Sequence, residues 1–599
     1  MGNLETVIVR NGDSEEFLEV ITPYSERLVE CSRKIPTRKW DAEKKLNLVH
    51  INDLPLLKDI FAGYALVVNP STIERYNTRR HREEELLNLK KFQNIELTIP
   101  NVNLSTVKNY QKTGIKFLSL VPQALLADEM GLGKSLMVLA TLQMLRNEGK
   151  INKILFLCPT SLKINWQREA SKWVNIRPMV VSGDFEERKA TYDRNPDALI
   201  VGYHSLISSV RKKILDANGF PVLDNKGVEK IEITYKDYPE IVRWKPDAIV
   251  CDECARMAEW KNSSSKLLSG LLSETKAKHL YLISGTPFEN MRNLYGMIKL
   301  LNKNIFGSYA KFQEAYCHLG GYTGYEIIGR KNMGMLQERI APIMLRRLKK
   351  DVLKELPDKI YQQYDIEMSP EQKRIYDELE VLFETQVDDQ MISMPWVFQR
   401  IVAFKHLCDA PQLVNPKVKI NPKMDELKKL VKELAPEHKI VIFSQFKEVT
   451  DIIVEEFKDE YDYVYLHGQV KEAEKRQALV DYFQGTEDCR LFISTLQAGG
   501  LGLNLTASDV VIFYDKWWSI KMNAQAEDRV HRIGQTNAPI IISLIMNDSI
   551  EDRVEELLRE KKGFVDEVFQ ENSSDEEIVK KLSGSQLRKL IGRRKKEEV

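Results

Sequence analysis

From Ala124 to Pro287 short apolar runs alternate with stretches of helical spacing, and no other feature narrows the possible folds of this chain as far. ALLA, KILFLCP, MVVSG, ALIVGY, AIVCDE and HLYLISG read as buried strands. Between them SLMVLATLQMLRNEG and SLKINWQREASKWV carry apolar residues at helical intervals. Strands joined through helices pair in parallel, so this segment is expected to form an α/β lobe with its ligand site at the carboxyl ends of the strands. One detour, residues 215–244, has turn signals at Asn218-Gly219 and between Asn225 and Gly227 and reads as an inserted hairpin. A second block of the same kind starts near Lys423 and ends near Met546, with KIVIFSQ, DYVYLHG, RLFISTLQ and VVIFYD as its strands. The stretch between the blocks reads as largely helical. After the second block, SIEDRVEELLREKKGFVDEVF reads as an amphipathic helix opened by Ser549, with Asp552 completing a variant capping box.

A chain of 599 residues has room for about three to five domains, each with its own core. No apolar run approaches the roughly 18 to 20 residues of a membrane span, and the opening MGNLETVIVRNG lacks the basic and apolar regions of a signal peptide. Gly2 and Thr6 fit a loose myristoylation pattern, but the segment reads more simply as a first strand. The seven cysteines are scattered, which suits a reducing compartment. Cys251 and Cys254, the one close pair, have no second pair to complete a zinc site and read as small buried side chains. A net charge of +1 gives no argument for nucleic acid, but eight basic residues lie between Lys580 and Lys596, just after an acidic patch at Asp566, Glu567, Asp575, Glu576 and Glu577. That tail reads equally as a solvated end or a phosphate contact.

DEMGLGKS, residues 128–135, lies between a short strand and a long helix, where a phosphate-binding loop belongs. Asp128, Glu129, Met130, Gly131, Leu132 and Gly133 would form the cradle. Gly131 and Gly133 let backbone amides turn inward, Lys134 can reach the β and γ oxygens of a nucleotide, and Ser135 would hold Mg²⁺. Asp128 stands where the general pattern has its first glycine. Asp252 and Glu253 leave the strand DAIV at its carboxyl end and can divide the work, Asp252 to Mg²⁺ and Glu253 to the attacking water.

DEMGLGKS, CPTSLKINWQRE, DEC, ISGTPFEN, IVIFSQF, STLQAGGLGLNLTASD, YDKWW and QAEDRVHRIGQT come in the order and spacing of the motifs of SWI/SNF-family ATPases, which the chain resembles from Ser105 to Lys562. The resemblance implies an α/β fold of two RecA-like parallel-sheet lobes with helical insertions, and an ATP- and Mg²⁺-dependent motor on double-stranded or forked DNA. It implies that Gln111 reads adenine, that Ser284 to Pro287 couple hydrolysis to movement, and that LRRLKKDV and ELPDK belong to the helical insertions. Two departures stand out: Ala255 replaces the usual His of the acidic motif, and Lys261-Asn262 arrives three residues late. YSERLVECSRKIPTRKWD, residues 24–41, resembles the HARP module of HepA-related annealing helicases, without the tryptophan usual in the next strand. The domains expected are a HARP-like module at 1–65, a helical connector at 66–103, a first lobe at 104–290, insertions and linker at 291–420, a second lobe at 421–546, and a brace helix with basic tail at 547–599.

In the second lobe Arg529 and Arg532 are three apart, which on a helix places them on one face, reaching into a cleft between lobes to neutralise charge on the γ-phosphoryl group. Pairing with Glu527 or Asp528 is the alternative. Gly502 is expected at the nucleotide. For DNA the candidates are Thr160, Ser161, Asn165 and Trp166 in the first lobe, and Thr495, with the glycines at 499, 500 and 502, Trp517 and Trp518 in the second. Core packing is equally open to one of the two tryptophans. Contacts of this kind hold phosphates and read no sequence. The functional expectation is a DNA translocase that remodels or anneals DNA, acting as a monomer in the cytoplasm of a bacterium or phage-infected cell, or in the nucleus of a eukaryote. The alternatives are a motor that displaces proteins such as RNA polymerase from DNA, or a non-catalytic DNA-binding scaffold.

Overall fold

The computed structural model describes residues 5–91, 95–207, 209–213, 231–235, 237–320, 326–387, 394–470, 472–499, 503–517, 520–532, 534–556 and 558–559. The chain divides into two compact units between Arg347 and Leu348.

The first unit opens with a five-stranded sheet of order β3-β4-β2-β1-β5, built from β1 (Thr6–Asn11), β2 (Phe17–Ile21), β3 (Lys39–Asp41), β4 (Leu46–His50) and β5 (Ala65–Val68). Alternation along TVIVRN buries Val7 and Val9 against Leu18, Val20, Leu28 and Val49. The helix Glu26–Arg33 is capped by Ser25, whose hydroxyl accepts the Leu28 N–H. This module is bolted to the rest of its unit. The buried Asp53 carboxylate pairs with Arg339 and accepts the Thr37 hydroxyl at 2.6 Å, while Glu16 accepts the side-chain amides of Asn302 and Asn304, each at 2.7 Å.

The large sheet of the first unit contains β6 (Gln123–Leu126), β7 (Ile154–Cys158), β8 (Met179–Val180), β9 (Ala198–Gly202), β12 (Ala248–Asp252) and β13 (His279–Ile283), matching the six apolar runs read as strands. All pair in parallel, in the order β6-β13-β12-β7-β9-β8. The residues of β7, β9 and β13 are buried throughout, as a parallel sheet covered on both faces requires. A hairpin is present as β10 (Ser209–Lys213) and β11 (Ile231–Tyr235), but β10 precedes residues 215–244 read as the hairpin, residues 238–244 form a helix instead, and the turn signals at 218–227 lie outside the described residues. A further hairpin, β14 (Cys317–Gly320) with β15 (Glu326–Arg330), comes after the large sheet.

Residues 291–420 are not purely helical. β16 (Met344–Leu345) returns to pair with β6, adding a seventh strand to the first sheet. The second unit has a six-stranded parallel sheet of β17 (Ile360–Ile366), β18 (Ile440–Ser444), β19 (Asp462–Leu466), β20 (Cys489–Thr495), β21 (Val510–Phe513) and β22 (Ile540–Met546), in the order β17-β22-β21-β18-β20-β19. The second lobe therefore takes its first strand from within the segment read as insertion and linker. A helix starts at Ile550, with the Ser549 hydroxyl accepting the Glu551 N–H at 3.0 Å. The Glu551 carboxylate turns back as well, accepting the Met546 N–H at 3.0 Å. The basic tail and its acidic neighbour lie outside the described residues. Among the described residues no helix is long and apolar enough to cross a membrane.

Candidate functional site

The segment 128–135 joins β6 to the helix Lys134–Asn147. Gly131 and Gly133 have φ of +81° and +80°, in the left-handed region that glycine enters without penalty. A side chain on Gly133 would also strike the Gln111 amide. The loop thus delivers the first backbone N–H groups of a fourteen-residue helix to the mouth of the sheet, an arrangement that favours anions. Lys134 lies across it, its Nζ donating to the carbonyls of Asp128 at 2.8 Å and Glu129 at 3.1 Å.

Gln111 is buried and engaged at both ends of its amide. Nε2 donates to the Leu132 carbonyl at 3.1 Å, and Oε1 accepts the Lys108 N–H at 3.0 Å. It shapes the loop from behind. Asp128 does not face a phosphate. Its fully buried carboxylate takes a two-pronged ion pair from Arg347, whose Nε reaches Oδ1 at 3.1 Å. Arg347 also donates to the Tyr110 carbonyl, and Arg346 donates to the carbonyls of Ala127 at 3.3 Å and Gly285 at 3.1 Å. These two arginines buttress the loop, a placement that sequence does not show. The run LRRLKKDV contains them, but nothing in its local pattern shows that β16 carries them back beside the phosphate loop. Gly285 touches the loop as well: a Cβ there would lie 2.7 Å from Met130 Cγ.

Asp252 ends β12. Its Oδ2 accepts the Trp166 indole N–H at 2.9 Å, its Oδ1 accepts the Glu253 N–H at 2.8 Å, and its carbonyl accepts the Tyr203 hydroxyl at 2.7 Å. Burial and the adjacent Glu253 push its carboxyl up to about 6, against the pull of the Trp166 bond and of Lys134. Glu253 has φ +52°, a left-handed backbone that costs a non-glycine residue about 1 to 3 kcal/mol and recurs at functional turns. Two carboxylates, one of them withdrawn from water, with Lys134 close enough to act on it, fit a hard divalent cation held by few protein oxygens. Among the described residues no cluster of three or more His, Cys, Asp or Glu could hold a metal ion alone, so such a cation would share Asp252 and the half-buried Ser135 with phosphate oxygens. Cys251 and Cys254 are fully buried. Ala255 lies in the short turn Cys254–Met257 that comes after Glu253, and Asn262 precedes the helix Ser263–Thr275.

Of the first-lobe DNA candidates, Thr160 and Asn165 are exposed, at the start of the turn and helix spanning Thr160–Trp173. The Ser161 side chain lies outside the described residues. Trp166 is 2% exposed and packs 5.0 Å from Phe156, so it faces the core and Asp252, and cannot touch DNA. Thr495 is buried at the end of β20. Trp517 packs on the second unit's core beside Val511 and Phe513, while Gly500, Gly502 and Trp518 lie outside the described residues.

Arg529 and Arg532 do not share a helical face, because the helix Ile520–Glu527 ends before them. Asp528 pairs with Lys349 Nζ at 2.6 Å and Lys359 Nζ at 3.4 Å, and the chain leaves the helix in a run of turns. The two arginines still converge, each donating Nη1 to the Leu503 carbonyl, at 3.5 and 3.3 Å. Arg529 is buried and Arg532 half-buried. The nearby acids bond to lysines, with Glu527 at 2.8 Å from Lys359, and the buried Asp528 also interacts with the Arg529 charge, the pairing that sequence offers as the alternative.

Residues 110–413 match the model of the SNF2-related domain, and residues 422–534 that of the helicase conserved C-terminal domain. The chain is 26% identical over 549 residues to an uncharacterized ATP-dependent helicase of Mycoplasma genitalium, covering 89% of this chain and 49% of that protein. It is 28% identical over 579 residues to a CHD3-type chromatin-remodeling factor of Arabidopsis thaliana (93% and 43%), and 28% identical over 613 residues to the transcription regulatory protein SNF2 of Saccharomyces cerevisiae (96% and 34%). It spans between a third and a half of the length of these relatives. A solved Sulfolobus solfataricus SWI2/SNF2 ATPase core in complex with dsDNA aligns over 83% of this chain and 99% of that one, at 24% identity and a TM-score of 0.37.

Proposed function

The chain belongs to the SNF2-related family of helicase-like ATPases, and on that premise we propose that it hydrolyses ATP to move along double-stranded DNA. The observation that carries this reading is the phosphate loop with Lys134 set beside the Asp252-Glu253 pair at the carboxyl ends of one parallel sheet. The amides of residues 131–135 bind the phosphates and Lys134 neutralises their β and γ oxygens. Ser135 and Asp252 hold Mg²⁺, which when bound offsets phosphate charge. Glu253 orients the attacking water. Arg532, the more accessible of the arginine pair, meets charge on the γ-phosphoryl oxygens, with Arg529 behind it. Met130 against Gly285, with Arg346 bonded to Gly285, gives the SGTP segment a direct link to the loop in a chain where Ala255 stands in place of the usual His.

Exposed Thr160 and Asn165 are the best-supported DNA contacts, and phosphate contacts of that kind make binding independent of sequence and sensitive to salt. We further assign fork or junction preference to the N-terminal module. Trp40 is 55% exposed, with the Arg38 guanidinium 5.9 Å from its ring, a pairing suited to an unpaired base beside phosphates. The test is ATP turnover with duplex, single-stranded and forked DNA and with RNA. Stimulation by duplex and forked DNA above the others is expected; equal turnover with none of them present would refute DNA translocation.

A further inference from the structure

The helix Lys163–Trp173 has an outward and an inward side with different contacts. Asn165 is exposed, close to Thr160, where the translocase reading places DNA. The next residue, Trp166, is buried, with its ring against Phe156 of β7 and its Nε1 donating to Asp252 Oδ2 at 2.9 Å. Any aromatic ring would serve the packing on Phe156. The indole N–H is a separate matter, because a buried donor must find an acceptor, and the one it finds here is the carboxylate assigned to Mg²⁺. Asp252 receives one donor on each carboxylate oxygen, Trp166 on Oδ2 and the Glu253 N–H on Oδ1, and a third, the Tyr203 hydroxyl, on its carbonyl. One donor per oxygen fixes the carboxylate plane and leaves lone pairs on both oxygens for a cation.

We infer that Trp166 is a positioning residue for Asp252: its indole N–H sets the plane in which the carboxylate meets Mg²⁺, and its helix ties that orientation to the exposed Thr160 and Asn165 surface. The tie to DNA rests on the translocase reading; the positioning of Asp252 does not.

Trp166→Phe keeps a ring against Phe156 and removes the N–H. In the full-length protein with ADP, Mn²⁺ affinity followed by electron paramagnetic resonance should weaken about tenfold or more, the usual effect of losing a partner behind a metal ligand. Phe156→Leu, which disturbs the stack and keeps the N–H, should lower the melting temperature and leave Mn²⁺ affinity within about twofold. With ¹⁵N-labelled indoles, the Trp166 resonance, identified by its loss in Trp166→Phe, should move in Asp252→Asn and on adding Mg²⁺ with ADP. Duplex binding by Trp166→Phe should stay at the parent level while the stimulation of turnover by duplex falls several-fold. Parent-like Mn²⁺ affinity in Trp166→Phe, or an indole resonance that ignores Asp252→Asn, overturns the positioning role. Weakened Mn²⁺ binding with undiminished stimulation overturns the tie to the DNA surface. A parent protein that duplex does not stimulate overturns the translocase reading, while the Mn²⁺ measurement still decides the role of Trp166.

Discussion

The two large sheets are wound alike. Setting aside β16, each places its strands, numbered along the chain within the unit, in the order first, sixth, fifth, second, fourth, third. The difference lies in the segments that leave equivalent strands. After the first strand of the first unit comes the glycine loop with Lys134. After the first strand of the second comes Ser369-Pro370, where Ser369 and Gln372 cap a helix reciprocally, the Ser369 hydroxyl accepting the Gln372 N–H at 3.2 Å and the Gln372 Oε1 accepting the Ser369 N–H at 3.3 Å. The fifth strand of each leads to an aspartate. Asp252 stands beside Glu253 and is held by an indole from a neighbouring helix, whereas the fully buried Asp515 accepts the Ser444 hydroxyl and the Gln445 N–H. One topology thus carries a glycine loop and an acidic pair in one unit, and a capped helix and a hydrogen-bonded aspartate in the other, so the two edges differ through their connections and not their winding.

The largest contrast should come from matched substitutions. Asp252→Asn is expected to reduce ATP turnover by about three orders of magnitude or more with the fold intact. Asp515→Asn should destabilise by about 1 to 3 kcal/mol, since it sets an amide among buried donors, with turnover at saturating ATP within a few-fold of the parent. Comparable turnover losses in both would erase the distinction, and steady-state kinetics with denaturant melts read both effects. Next in size, Arg532→Ala should lower kcat by about 10³ while changing nucleotide affinity little, because its charge acts on the transition state. Equal losses in kcat and affinity, measured by turnover and equilibrium nucleotide binding, would make it a ground-state ligand.

The second unit also holds a buried charge network. Glu551 accepts Lys423 at 2.6 Å and Lys405 at 3.1 Å, and Lys423 reaches Asp409 at 2.7 Å. Burial alone would raise the Glu551 carboxyl, but Lys423 and Lys405 outweigh it and hold the group at about 2, below its ordinary 4.5. The folded state therefore binds the proton less readily than the unfolded one. The stability this gives is fully present above about pH 4.5 and is lost as pH falls toward 2. Glu551→Gln should cost about 3 to 5 kcal/mol at neutral pH and flatten acid unfolding across that window, followed by circular dichroism. An unchanged acid profile would show that the network does not set it.

The smallest expected effect concerns the N-terminal module. Trp40→Ala should leave duplex-stimulated turnover unchanged and reduce preference for forked DNA by roughly 1 to 3 kcal/mol of stacking. A competition assay between fork and duplex measures it, and an unaltered preference would leave Trp40 without that role. The substitution is a cleaner probe than removing residues 1–65, which would strip the buried Asp53 from Arg339.

Strands buried on both faces were legible because they are short continuous apolar runs between helical patterns, and DEMGLGKS was legible because its glycines and lysine have few other uses in that setting. β17 was not, since IYQQYDI is largely exposed and its polar residues mask the strand. The two-residue β16 carries no periodicity, and so Arg346 and Arg347 could not be placed beside the loop. Helical spacing runs on through Arg529 and Arg532, and no local signal in the sequence marks the end of the helix at Glu527. Trp166 is a DNA candidate in sequence, and only the fold shows that it takes the buried side of its helix.

The central claim is that the first unit carries hydrolysis and that DNA drives it, and Glu253→Gln tests both parts at once. ATP turnover of the parent and of this variant would be measured with and without saturating duplex, alongside equilibrium binding of ATP. The account predicts duplex-stimulated turnover in the parent, turnover reduced by about 10³ or more in the variant, and similar ATP binding by both. Variant turnover close to that of the parent, stimulated by duplex to the same degree, would contradict it.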